Sequence, residues 1–151
     1  MKTEITYEYI LPGKSTEIST YFSDFMLFGK HHPYMIQTVK IEPTTSKNTF
    51  RVYESLKLWG IIPMKPMYDV SVIVVEANKH IQYQSEISKG IFLHIDYTFV
   101  EDATNNTVKV IETIHLIGYQ IINPIFIGLL KKSRMLLMES IRKELEIKST
   151  I

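Results

Sequence analysis

Hydrophobic and polar residues alternate from the start of the chain. Ile5, Tyr7, Tyr9 and Leu11 fall on one face and Glu4, Thr6 and Glu8 on the other, which predicts a half-buried strand over Thr3–Leu11. Pro12-Gly13 ends it. Ser15 or Thr16 can cap a short helix carrying Ile18, Tyr21 and Phe22. Asp24 can cap a second, Phe25–Phe28, which Gly29 stops. His31-His32-Pro33 then forces an extended exit.

After Tyr34 the period becomes two and stays so for about eighty residues. The predicted strands are Ile36–Glu42, Thr49–Leu58, Tyr68–Glu76, Ile81–Ile87, Ile91–Val100 and Thr107–Gly118. Most are separated by short turn-like breaks, such as Ala77-Asn78-Lys79 and Ser88-Lys89-Gly90. Breaks this short require antiparallel hairpins, because parallel crossovers need about a dozen residues. The period then changes to 3.6. Asn123 suits an N-cap and Pro124 the first helical position. Phe126, Leu130, Leu137 and Ile141 recur at helical spacing, while Lys131, Lys132, Arg134, Glu139, Arg142, Lys143 and Glu144 form much of a polar face. The helix should run roughly 25 residues, about 40 Å, and must lie on the sheet to cover its apolar side. A sheet curled around one long helix closes poorly at its ends, and the space left between sheet, helix and short helical pair is where a small-molecule site is expected.

This order resembles the START and birch-pollen-allergen superfamily, often called SRPBCC, over nearly the whole chain. The residues that carry the resemblance are Tyr9-Ile10-Leu11-Pro12, Phe22-Ser23-Asp24-Phe25, His32-Pro33, Tyr97-Thr98-Phe99 and the Gly118 break before the final helix. The resemblance implies an α+β helix-grip fold: a curved antiparallel sheet of about seven strands around a long C-terminal helix. Members of that superfamily hold lipids, sterols, polyketides or plant hormones; some are cyclases or hydrolases. The chain departs from the pollen-allergen branch, whose glycine-rich loop has no counterpart in Glu42–Asn48. The His/His/carboxylate set of the Rieske oxygenase branch cannot be placed either.

Length and charge narrow the function classes. A chain of 151 residues fits a single domain, 1–151, large enough to bury a core. Seventeen basic against sixteen acidic residues, net +1, give no electrostatic footprint of a nucleic-acid binder. The absence of cysteine excludes disulfides, thiol catalysis and zinc–thiolate sites and suits a reducing compartment. The N-terminus lacks a signal peptide's apolar region, and the apolar run Ile117–Leu130 is interrupted by Gln120, Asn123 and Pro124. The expectation is a soluble, cytoplasmic protein without stable membrane insertion and without a cofactor.

Two carboxylates lead the candidate chemistry. Glu54 shares a face with Phe50, Val52, Leu56 and Leu58, and Glu112 with Val108, Val110, Ile114 and Leu116. A carboxylate turned into an apolar cavity must be paired, hydrogen-bonded or protonated, and is a functional candidate as ligand acceptor or general acid/base. The plainer alternatives are a bulge that flips the phase, or satisfaction by Arg51 or Arg134. Tyr7, Tyr9, Tyr83 and Tyr97 fall on inner faces, where a hydroxyl can orient a ligand or simply bond backbone. His32, closing the helical pair near the expected mouth, is the best placed of five histidines; His94 and Asp96 are predicted to face solvent, and no metal-ligand spacing is present. The apolar loop Trp59–Met67 is either a pocket lid that touches lipid or a hairpin packed under the helical pair. The candidate ligand-binding set is therefore Tyr7, Phe25, Phe28, His32, Glu54, Trp59, Tyr83, Tyr97, Glu112, Phe126 and Leu130. The leading expectation is binding or carriage of a hydrophobic, lipid- or polyketide-like small molecule. The rivals are a cyclase- or hydrolase-type enzyme using pocket carboxylates or tyrosines, and a weak homodimer built through the apolar loop.

Overall fold

The computed structural model describes residues 2–41, 48–58, 60–118 and 124–149. Strand β1 (Lys2–Pro12) leads into helices α1 (Ser15–Ser23) and α2 (Phe25–His31). Strands β2 (Met35–Ile41), β3 (Asn48–Glu54), β4 (Leu56–Leu58), β5 (Ile62–Met64), β6 (Met67–Glu76), β7 (His80–Ser88), β8 (Ile91–Asp102) and β9 (Thr107–Ile117) follow, and helix α3 (Pro124–Ser149) comes last. Seven strands form one sheet in the order β1-β9-β8-β7-β6-β3-β2, every pairing antiparallel, while β4 and β5 make a separate hairpin. β1 and β2 are opposite edges, so α1 and α2 carry the chain from one edge of the sheet to the other.

Period-two patterning puts one set of side chains inward on each strand. Val108, Val110, Glu112 and Ile114 of β9 lie beside Ile95, Tyr97 and Phe99 of β8, with Tyr97 directly opposite Glu112. α3 is 26 residues long and buries Leu137, Met138, Ile141 and Leu145 against this face. The short helices contribute an aromatic cluster. Phe22 lies 4.7 Å from Tyr97 between ring centroids, and Phe28 meets Tyr83 edge-on at 5.1 Å. These offset and edge contacts each add about 0.5–1.5 kcal/mol beyond area burial.

Several local expectations are corrected. α1 is capped by the Lys14 backbone without a side-chain bond, not by Ser15 or Thr16. α2 runs past Gly29 to His31; a Cβ at this glycine would come within 2.6 Å of Thr38 Oγ1 on β2, so the threonine side chain would have to turn aside. The predicted strand Thr49–Leu58 breaks after Glu54. Ser55 N–H donates to the Tyr34 carbonyl at 2.8 Å, which turns the chain out of the sheet into the β4–β5 hairpin. Asp24 does cap α2, its carboxylate accepting from Leu27 N–H at 3.3 Å. Gly118, with φ +126, closes against Gly90: a Cβ would stand 2.1 Å from the Gly90 carbonyl oxygen. The loop Glu42–Lys47 and the expected cap Asn123 lie outside the described residues.

Candidate functional site

A cavity of about 400 Å³ lies between the inner face of the sheet, α2, the β4–β5 hairpin and α3. Each element supplies its share for a local reason. α2 turns Phe25, Phe28 and, at its C-cap, His32 inward. β3 delivers Glu54 at its last position, just before the chain leaves the sheet. β6 and β7 contribute Tyr68, Val70, Tyr83 and Ser85 in period two. α3 closes the space with Leu129, Leu130, Ser133 and Arg134. Met64 and Pro66 line it from the hairpin side, while Ile61, Ile62 and Met67 are exposed. The described part of the apolar loop, residues 60–67, therefore borders the cavity and is otherwise largely exposed.

The polar groups in this mostly apolar space are few. Tyr68 Oη donates to Glu54 Oε2 at 2.6 Å. Burial holds the Glu54 carboxyl above its ordinary range, against the Tyr68 hydrogen bond and the Arg134 charge, which pull it down. Burial, and then Arg134, drives His32 down to about 3, so the ring is neutral near pH 7. Its Nδ1 accepts the Tyr34 N–H at 3.1 Å, which leaves the proton of the neutral ring on Nε2. The Tyr83 hydroxyl donates to the Phe22 carbonyl and the Ser85 hydroxyl to the Asp69 carbonyl, so both are spent on backbone.

Beside the cavity lies a second polar group. Glu112 is fully buried and does not line the cavity. Its Oε2 accepts from Tyr97 Oη at 2.6 Å and stands 2.8 Å from Arg134 Nε; its Oε1 takes a long bond from Tyr9 Oη at 3.4 Å. The Arg134 Nε–H is not aimed along the line to Glu112 Oε2, so that contact is an ion pair and not an aligned hydrogen bond. Burial opposes the guanidinium's proton, the Glu112 carboxylate favours it, and the net shift is upward. Burial, followed by the Glu112 charge, pushes the Tyr97 hydroxyl well above its ordinary value.

Six of the sequence candidates thus meet at the cavity: Phe25, Phe28, His32, Glu54, Tyr83 and Leu130. Three do not. Tyr97 and Glu112 sit behind its wall, because they pair with each other across β8 and β9 and with Arg134. Tyr7 is directly opposite Glu112 but on edge strand β1, in a groove on the other flank of α3 with Lys131, Met135 and Arg142. Trp59 and the Phe126 side chain lie outside the described residues. The sequence reading missed Tyr68, which is in phase with Val70 and Val72; it counted Arg134 on the polar face of α3, although it is buried, and also offered it as a partner for the carboxylates, which it is for Glu112. Arg51 does not serve Glu54: it pairs with Asp69 on the exposed side at 2.9 Å.

On the outer face of the sheet, Asp96 accepts from the Gln82 amide at 2.8 Å, lies 2.7 Å from His80 Nε2 and 3.3 Å from His115 Nε2. Among the described residues no group of three or more ligating side chains is arranged to hold a metal, and no helix is long and apolar enough to cross a membrane.

The curled seven-stranded sheet, the two short helices and the long terminal helix define a helix-grip fold, the architecture of the START and birch-pollen-allergen-like proteins. Solved structures agree. A START superfamily protein from Mycobacterium smegmatis superposes with a TM-score of 0.71 at 10% identity, covering 95% of this chain and 97% of its own. The Zhui aromatase/cyclase from Streptomyces sp. R1128 gives 0.76 at 7% identity, over 97% of this chain and 94% of its own. Ginseng major latex-like protein 151 from Panax ginseng gives 0.71 at 6% identity, over 95% and 97%. At such identities the likeness is one of fold. No family model matches the sequence, and no curated protein matches it.

Proposed function

We propose that the protein binds a hydrophobic small molecule, lipid- or polyketide-like, in the cavity between the sheet and α3. The observation that carries this reading is the cavity itself, which opens partly to solvent. It is large enough for a drug-sized molecule, walled mainly by aliphatic and aromatic side chains, and supplied with a few convergent polar groups in Glu54, His32 and Arg134. Leu56, Met64 and Pro66 at its margin, next to the exposed Ile61 and Ile62, suit a movable entrance. The fold-level neighbours, which include a START superfamily protein and an aromatase/cyclase, are compatible with such a role. Native mass spectrometry of freshly purified protein, with organic extraction, tests it. A stoichiometric apolar compound supports the reading. An empty protein that also takes up no lipid or aromatic probe contradicts it.

One observation favours a second reading, acid/base catalysis. Glu54 borders the cavity, and loss of water holds its carboxyl up toward the range a general acid or base needs near neutral pH. Glu112 is not a candidate, since its carboxylate is occupied by Arg134 and Tyr97. Turnover lost with binding retained in Glu54→Gln supports this second reading.

A further inference from the structure

Resting on the reading of the cavity as a ligand site, we infer that its ligand is an apolar molecule ending in a hydrogen-bond donor, best a protonated amine, and that acid-headed lipids are disfavoured. The inference follows from counting charges around the cavity. The Arg134 guanidinium lines it, but that charge is already matched by buried Glu112 at 2.8 Å. Glu54 also lines it, and among the described residues no cationic side chain lies within ion-pair distance of its carboxylate. Tyr68 supplies one donor to Oε2 and no charge. Lys57 and Lys65 of the nearby hairpin are exposed and do not line the cavity.

The wall and the pair behind it thus hold two carboxylates and one guanidinium, an excess of one negative charge whenever Glu54 is ionised. In a largely apolar cavity that excess is costly unless something compensates it. A ligand ammonium would neutralise it and give Glu54 a charge-assisted hydrogen bond. A hydroxyl would give the hydrogen bond alone. A ligand carboxylate would add a like charge beside Glu54 and find the one lining guanidinium already paired. His32 does not change the count. Its ring is uncharged near pH 7, and Nδ1 already accepts a backbone N–H.

The experiment uses the full chain at pH 7 with a neutral fluorescent naphthylamine probe in the cavity, displaced by dodecylamine, dodecanol or dodecanoic acid, each below its solubility or aggregation limit. The amine should displace the probe at a concentration at least about tenfold lower than the acid, with the alcohol between them. In Glu54→Gln, which keeps the shape and removes the charge, the amine-to-acid ratio should fall to within about threefold. Acid binding as tight as amine binding in the wild type overturns the inference, and so does an unchanged ratio in Glu54→Gln. The wild-type ratio decides even if the variant fails to fold. Displacement by none of the three overturns the cavity reading itself, and the inference with it.

Discussion

Removing Arg134 should destabilise the protein more than almost any other single change on α3. Arg134→Met keeps the apolar stem of the side chain but removes the guanidinium, and leaves Glu112 fully buried with only tyrosine hydroxyls, at 2.6 Å and 3.4 Å, to stabilise its charge. Breaking a buried ion pair from one side costs about 3–5 kcal/mol. Domains have only about 5–15 kcal/mol in total, so the variant should lose about a fifth or more of its stability. At about 2–4 °C per kcal/mol for a chain of this size, the melting temperature should fall by roughly 6–20 °C. The double variant Glu112→Leu/Arg134→Met removes both desolvation costs together, and should return to within about 2 kcal/mol of wild type. Urea unfolding at pH 7 of the wild type, both singles and the double closes the cycle. A loss below about 1 kcal/mol in Arg134→Met, or a double variant whose loss equals the sum of the singles, refutes the claim that the pair is a coupled buried unit.

Three further outcomes are expected. Gly118→Ala forces a side chain into a backbone at φ +126 with its Cβ 2.1 Å from the Gly90 carbonyl oxygen, and should cost about 2 kcal/mol or more in urea unfolding. Asp24→Ala removes the α2 cap to Leu27 N–H and should cost about 1 kcal/mol, read in the same assay. His32 is held down to about 3 in the folded state against about 6.5 in the unfolded one, so the unfolded chain takes up its proton first. Its contribution to stability is intact above about pH 6.5 and is lost as pH falls from there toward 3. Between pH 6.5 and 5 the wild type should lose about 2 kcal/mol more than His32→Asn, and equal losses would contradict the neutral buried ring.

Much of this molecule can be read from its residues because its strands alternate cleanly. Ile5, Tyr7, Tyr9 and Leu11 set the phase of β1, and the same rule correctly turned Glu54 and Glu112 inward. Which of those two borders empty space was not legible. It depends on where α3 lies across the sheet, a relation between residues more than a hundred positions apart, such as Ile10 and Arg142. Arg134 was legible in part: the alternative that it satisfies one of the two carboxylates holds for Glu112, while its place on the polar face of α3 does not, because a long basic side chain at the edge of a helical stripe reads as solvent-facing. The break at Ser55 left no composition signal, since it is made by one backbone hydrogen bond to Tyr34. His31 likewise looked unremarkable in sequence, yet its Nδ1 lies 2.8 Å from Ser140 Oγ and its Nε2 2.9 Å from Glu144, which ties α2 to α3. His31 is the last residue of α2, while His32 is its extended C-cap and faces the cavity.

The central claim is that the space between sheet and α3 receives an apolar guest. Its most direct test is a titration of the neutral naphthylamine probe into the wild type and into Leu130→Trp, a substitution that fills the cavity from the half-buried face of α3. Saturable binding of one probe per chain in the wild type, lost in a Leu130→Trp protein that melts no lower, is the expected result. Equal binding to both proteins would place the probe elsewhere, and no binding to either would contradict the cavity as a ligand site.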